Sequence, residues 1–347
     1  MKILLTERQL LIFDLIVRHY IEFEEPLGSK TLLKESSLPL SSATIRNEMM
    51  RIEELGFLEK MHSSSGRIPS IQGYRYYVDQ LLGKESEEVA DEVKQMIKHG
   101  FQNPYREVQQ VVEKSAEMLS FLTNYTALAI GPETKDSRLT GFRLVALNEG
   151  HVMAILVTDK GHVENQIFSV SPGFSATEIE KIVNIFNQEL VGRTLQEVFV
   201  KLQTDIPLII RKYVDAKVDF TAIFNDIVAK LEHDRFHVGG SMNLLNHLDS
   251  TMDKNKVKDI LSMLNGSPDI HALFSNPYEG VGVKIGTELN NELLHNFSLI
   301  TATYDTAGNG KGLIALLGPT NMPYQKMISI MKFMRYELSD SLNDLNK

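Results

Sequence analysis

The 347-residue chain contains no cysteine. Disulfides and thiol catalysis are thereby excluded, and the absence fits a reducing cytosol. No apolar run approaches a membrane span, and the first residues read as a capped amphipathic helix, not a leader. A cytoplasmic location without membrane contact is expected. Catalytic signatures are missing as well. Gly308-Asn309-Gly310-Lys311-Gly312 lacks the first glycine and the closing Ser/Thr of a phosphate loop. Gly280-Val281-Gly282 has Ile285 where a dinucleotide fingerprint needs its third glycine. The ten histidines include no metalloprotease pair and no clustered ligand set. No enzymatic activity, metal or cofactor is expected. Excess positive charge is absent too, since the formal net charge is −9.

What is present is ordinary in bulk and uneven in distribution. Hydrophobic content of 43% and charged content of 23% suit a globular protein, and the length predicts two or three domains. Residues 1–78 carry ten Lys/Arg against ten Asp/Glu, leaving 26 basic and 35 acidic residues for the remainder. A neutral head precedes an acidic body. One such head should hold DNA poorly, because non-specific binding rests on phosphate neutralisation. Two linked heads would recover affinity through effective concentration.

The most informative stretch runs from Leu27 to Asp79. Pro39 blocks helix before it, Ser41 or Ser42 can cap a helix start, and Gly56 suits the left-handed position past its end. Between them Ile45, Met49 and Ile52 form one apolar stripe. The opposite side carries Ala43, Asn47, Met50 and Glu54, flanked by Thr44, Arg46 and Arg51. Such a face can enter a major groove, where Arg pairs with guanine, Asn with adenine, and an apolar group meets a thymine methyl. Taken alone, the pattern better describes an amphipathic helix with a solvated face. Its neighbours decide between the two. Thr6–Gln9 is a capping box opening a helix to about Tyr20, and Pro26–Ser29 starts a short helix through Glu35. Residues Leu58–Met61 and Arg67–Pro69 read as two short strands around a Ser63-Ser64-Ser65-Gly66 tip. That order is a winged helix-turn-helix. Arg46 and Asn47 are the leading base readers, with Thr44 and Arg51 next. Lys30, Ser41, Ser42, Ser64, Ser65 and Arg67 are the phosphate contacts expected.

In the first helix Leu10, Phe13, Val17, Tyr20 and Ile21 make one core stripe, while Leu11, Ile12, Leu15 and Ile16 lie off it. Burial on two sides follows, in a monomer core or in a contact between units. Ser70 caps a helix whose Tyr74 and Tyr77 belong to a core. Gly83–Glu88 is polar and marks a boundary.

The body begins with a helix over about 104–122. A β-rich meander over 125–130, 139–147, 151–158 and 162–170 comes next, turning at Asn148-Glu149-Gly150 and Asp159-Lys160-Gly161. Ser175–Glu178 is a capping box for a helix to about Leu190. A helix-rich interval then holds a helix over 222–231, a short strand near 236–238 and a helix over 255–264. Strands over 297–304 and 311–317 meet across Gly308-Asn309-Gly310, and a helix spans about 324–342. The fold class is α+β, multidomain.

The strings SSATIRNEM, GRIPS and GYRYYVD within residues 25–79 resemble the head of the bacterial heat-inducible transcription repressor HrcA family. His237-Val238-Gly239-Gly240 with Asn243-Leu244-Leu245, and Leu317–Tyr324, resemble the same family, so the likeness covers essentially the whole chain. The resemblance implies a DNA-binding head over 1–83 and a GAF-like domain over 84–193 and 277–347. It makes the interval 194–276 an inserted dimerisation domain. It further implies a homodimer on double-stranded DNA, at an inverted-repeat operator upstream of chaperone genes. A GroEL-type chaperonin would keep the repressor active until heat shock draws it away. A ligand-gated regulator and a protein-interaction module are the alternatives to weigh.

Overall fold

The computed structural model describes residues 5–36, 38–61, 66–82, 88–102, 108–132, 137–148, 150–159, 163–169, 176–213, 235–247, 253–264, 270, 273–274, 279–306 and 310–345. The predicted tip serines Ser63, Ser64 and Ser65, the helix over 222–231 and the cap at Ser175 lie outside these residues. So do the turn residues Glu149, Lys160, Gly161, Gly308 and Asn309.

α1 (Glu7–Phe23) opens on the reciprocal Thr6–Gln9 capping box. Its buried face is Ile12, Phe13, Ile16 and Val17, and Leu10, Tyr20 and Ile21 pack partly buried on the same core, so the expected stripe is widened by Ile12 and Ile16, while Leu11 is 55% exposed. α2 (Ser29–Glu35) and α3 (Ser42–Glu54) follow, and Ser41 caps α3 by accepting the Thr44 N–H. Gly56 sits at φ 83, as a residue just past a helix end commonly does. β1 (Leu58–Glu59) and β2 (Ile68–Pro69) pair antiparallel, Leu58 facing Pro69. α4 (Ile71–Leu82) completes the head, with Tyr74 and Tyr77 buried as expected.

The body departs from the sequence reading in two ways. First, α5 (Asp91–Phe101) precedes α6 (Val108–Thr123), where only one helix was expected. α5 buries Ile97, with Val93 and Phe101 partly buried on the same core, an i, i+4, i+8 stripe that the sequence reading passed over. It is stabilised by Asp91 and Glu92 at its positive end and by Lys98 and His99 at its negative end. Second, the strands expected to form one meander divide between two sheets. β3 (Thr126–Ile130) joins the five-stranded antiparallel sheet β7-β3-β10-β9-β8, made with β7 (Phe236–Gly239), β8 (Val281–Ile285), β9 (Phe297–Asp305) and β10 (Lys311–Pro319). β4 (Leu139–Asn148), β5 (His151–Thr158) and β6 (Val163–Ser169) form their own three-stranded sheet.

That smaller sheet packs one face on α7 (Ala176–Leu190), α8 (Leu195–Gln203) and α9 (Asp205–Tyr213), around Phe142, Leu156, Phe186 and Val198. A break after residue 193 would cut through this core, and the β7 strand of the expected insert belongs to the larger sheet. Strand pairing is non-local, so hydrophobic pattern alone leaves it open.

The larger sheet is covered on both faces. Ala127, Ala129, Ile300, Ala302 and Ile314 face α6 and α11 (Tyr324–Leu345). Leu128, Leu299, Leu313, Ala315 and Leu317 face the side of α10 (Lys254–Leu264). The alternation follows the two-residue period of a strand. The core under α6 and α11 is continuous with that of the head. Among the described residues no helix is long and apolar enough to cross a membrane.

Candidate nucleic-acid interface

α3 turns Ala43, Arg46, Asn47, Met50 and Arg51 to solvent, while Ile45, Met49 and Ile52 anchor its other side. One acid lies on the anchored side. Glu48 is only 3% exposed and accepts a 3.0 Å hydrogen bond from Gln9 Nε2. It also pairs with Arg8, and Arg51 Nη1 stands 3.7 Å away. Two consecutive residues of α1 thus hold the middle of α3, and Gln9 serves its own cap and this clamp together. Sequence reasoning passed over Glu48. The available signal was an acid three residues after Ile45, on the apolar stripe.

The start of α3 is tied as well. Ser41 Oγ accepts the Thr44 N–H at 3.1 Å and lies 2.9 Å from the Thr44 hydroxyl. Ser42 Oγ is 3.2 Å from Ser29 Oγ, at the start of α2. Of these contacts, Ser29–Ser42 joins the starts of the two helices. Among the four residues, Ser41 is exposed.

Beside α3 the hairpin encloses an open cleft of about 710 Å³, lined by residues of α2, α3 and the hairpin. The cleft brings Lys30, Arg46 and Arg67 together, while Asn47 and Arg51 stay on the open helix face. Arg67 is committed elsewhere. Its side chain is 12% exposed and meets Glu53 through Nε and a terminal nitrogen, each at 2.7 Å. Lys60 Nζ reaches the other Glu53 oxygen at 3.2 Å. The Arg67 backbone exchanges both hydrogen bonds with Leu27. Gly66 is required there, since a Cβ would fall 2.4 Å from the Leu27 carbonyl carbon. The GRIPS string therefore first serves to close the hairpin onto the start of α2. Glu53 and Lys60 were not foreseen as parts of this site. Among the described residues no group of His, Cys, Asp and Glu is arranged to hold a metal ion.

The sequence model of the HrcA protein C terminal domain matches residues 109–328, from α6 into α11. The heat-inducible transcription repressor HrcA of Pediococcus pentosaceus is 45% identical over 344 residues, 99% of each chain. The chain belongs to the HrcA family. HrcA of Listeria monocytogenes serotype 4a is 44% identical over 342 residues, covering 99% of this chain and 98% of that one. A crystal structure described only as that of a hypothetical protein matches with TM-score 0.68 and 26% identity, over 99% of this chain and all of the other. The HrcA match over 109–328 stops short of α3, so α3 and the hairpin are related to HrcA through the near full-length alignments.

Proposed function

We propose that this chain is a heat-inducible transcription repressor acting as a homodimer on double-stranded DNA. The head is read as a winged helix-turn-helix, with α3 in the major groove and the hairpin as a wing beside it. The observation that carries this reading is α3 itself. A helix locked from behind through Glu48 presents Arg46, Asn47 and Arg51 as a rigid outward row. Rigidity matters because base readout rewards side chains already held at a fixed depth and angle. Lys30 and Ser41 are assigned to the phosphates on either side, and Thr44 stays with the base readers. Ser42 is engaged with Ser29, so its role is in the joint between helices as much as on DNA. Ser64 and Ser65 remain assigned to the wing tip.

The five-stranded sheet with its helices is read as the GAF-like part. The β4–β6 sheet with α7–α9 supports a shifted assignment of the insert, to about 137–213. Its second face supports the dimer. Val145, Leu147, Val163 and Ile167 are exposed there, beside half-buried Met153, Ile155 and Val157. The cross-strand pairs Val145–Met153–Ile167 and Val157–Val163 form two apolar rows, bridged by Ile155 between Arg143 and Asn165. A sheet apolar on both faces calls for a second partner, and another copy of the same sheet satisfies it by two-fold symmetry.

A pair of heads would read an inverted repeat upstream of chaperone genes. A GroEL-type chaperonin would raise the fraction of folded repressor, and apparent affinity scales with that fraction. Footprinting on the protein's own promoter region tests the reading. Protection of both arms of an inverted repeat is expected, with scrambled DNA unprotected. Equal affinity for scrambled DNA would return the head to the protein-interaction alternative.

A further inference from the structure

Two strings singled out by sequence, GYRYYVD and LGPTNMPY, are absorbed by neither the DNA-facing surface nor the dimer face. They meet each other. Tyr74 of α4 and Tyr324 of α11 pack with ring centroids 5.9 Å apart, both buried. The Tyr324 hydroxyl is 2.6 Å from Ser298 Oγ and donates to the Thr320 carbonyl at 2.7 Å. Burial holds both phenols far above the ordinary tyrosine range, so the contact is between neutral rings. On one flank Asn321 Nδ2 donates to Glu24 Oε1 at 2.9 Å. Glu24 ends α1 in the left-handed region, φ 55, which a glutamate adopts only when its surroundings hold it there. On the other flank Arg75 Nη1 donates to the Val283 carbonyl at 2.7 Å and to Glu288 Oε2 at 3.0 Å. Its Nε lies 3.2 Å from Asp79, in its own helix. Glu288 in turn accepts the Ile285 N–H at 2.8 Å, which fixes it to the end of β8.

The head is therefore built onto the body. An apolar contact resists separation but tolerates sliding. The directional bonds of a planar guanidinium to a carbonyl and a fixed carboxylate resist rotation. Arg75 is the head residue that supplies both.

We infer that Arg75 is a positioning residue for operator recognition: by locking α4 to β8 it sets the angle of each head and so the half-site spacing the dimer accepts. This rests on the reading of the chain as a dimeric DNA-binding repressor. One inserted base pair moves a half-site by about 3.4 Å and about one-tenth of a turn. Avidity of about 10²–10⁴-fold is lost when geometry forbids both heads from engaging.

The test measures affinity of the full chain for the footprinted inverted repeat with its spacer changed by one and two base pairs, and for a single half-site. Wild type should lose about tenfold or more per base pair of change, and Arg75→Ala less than about threefold. Half-site affinity should be unchanged, and Arg75→Lys should fall between because a rotatable ammonium lacks the fixed in-plane N–H directions of Nη1. A spacing profile as sharp as wild type overturns the inference. Equal weakening on every probe, half-site included, also overturns it, because Arg75 would then merely support the folding of the head. Tighter binding at the original spacing overturns it as well, the joint then holding the heads away from DNA. Should Arg75→Ala not fold, Glu288→Ala is read by the same criteria. If wild type fails to distinguish the repeat from scrambled DNA, both readings fall together, whereas an unchanged profile removes this one alone.

Discussion

Arg46 and Glu48 lie two positions apart on α3 and face opposite ways, one to solvent and one into a clamp from α1. Their substitutions should separate cleanly. Arg46→Ala should cost about 1–3 kcal/mol in DNA binding and relax preference at one base pair, with stability unchanged. Weakening spread evenly over all sequences, seen by quantitative gel shift, would make Arg46 a phosphate contact. Glu48→Ala should lower unfolding free energy by about 1–3 kcal/mol, because Gln9 loses a buried acceptor. Denaturant titration measures it. Two of the basic residues lining the cleft divide similarly. Lys30 is exposed, and Lys30→Ala should reduce the slope of log affinity against log salt by about one unit. Arg67→Ala should act mainly on stability, since its guanidinium is spent on Glu53. A full unit of slope lost with stability intact would show that DNA takes Arg67 from Glu53.

At the scale of elements, caps carry much of the head. Ser41→Ala removes the acceptor for the Thr44 N–H and should cost about 0.5–2 kcal/mol of stability, read by thermal unfolding. No change would mean that water replaces the cap fully. Helices with strong punctuation are legible in the sequence: α1 by Thr6–Gln9, and α3 by Ser41 and Gly56. α5 was passed over although Val93, Ile97 and Phe101 recur at i, i+4, i+8, because its many charges resemble a solvated linker. The strands were found and their partners were not. Turn residues between β4 and β5 announce a hairpin, whereas nothing local to β3 states that β7 and β10 flank it.

At the scale of the whole molecule, the proposed dimer pairs through the outer face of the β4–β6 sheet. Ile155 is central there, opposite Arg143 and Asn165. Ile155→Glu should convert the protein to a monomer in sedimentation, with circular dichroism unchanged and operator affinity reduced by the loss of avidity. A stable dimer in that variant would move the interface to another surface. The head shares its core with the body, so under the proposed pairing the sheet contact would govern where both heads point.

The sequence by itself determined the family, the neutral head on an acidic body, the class of fold and most helices of the head. The family rests on the likeness of the strings SSATIRNEM, GRIPS and GYRYYVD, and the others on composition, caps and short periods, which are local quantities. Only the tertiary structure decided which strands share a sheet and that Arg67 is held by Glu53. It also turned Glu48 inward and brought Arg75 against Val283. Each of these depends on residues distant in the chain meeting in space, where burial and directional hydrogen bonds select one arrangement among many that the local pattern allows.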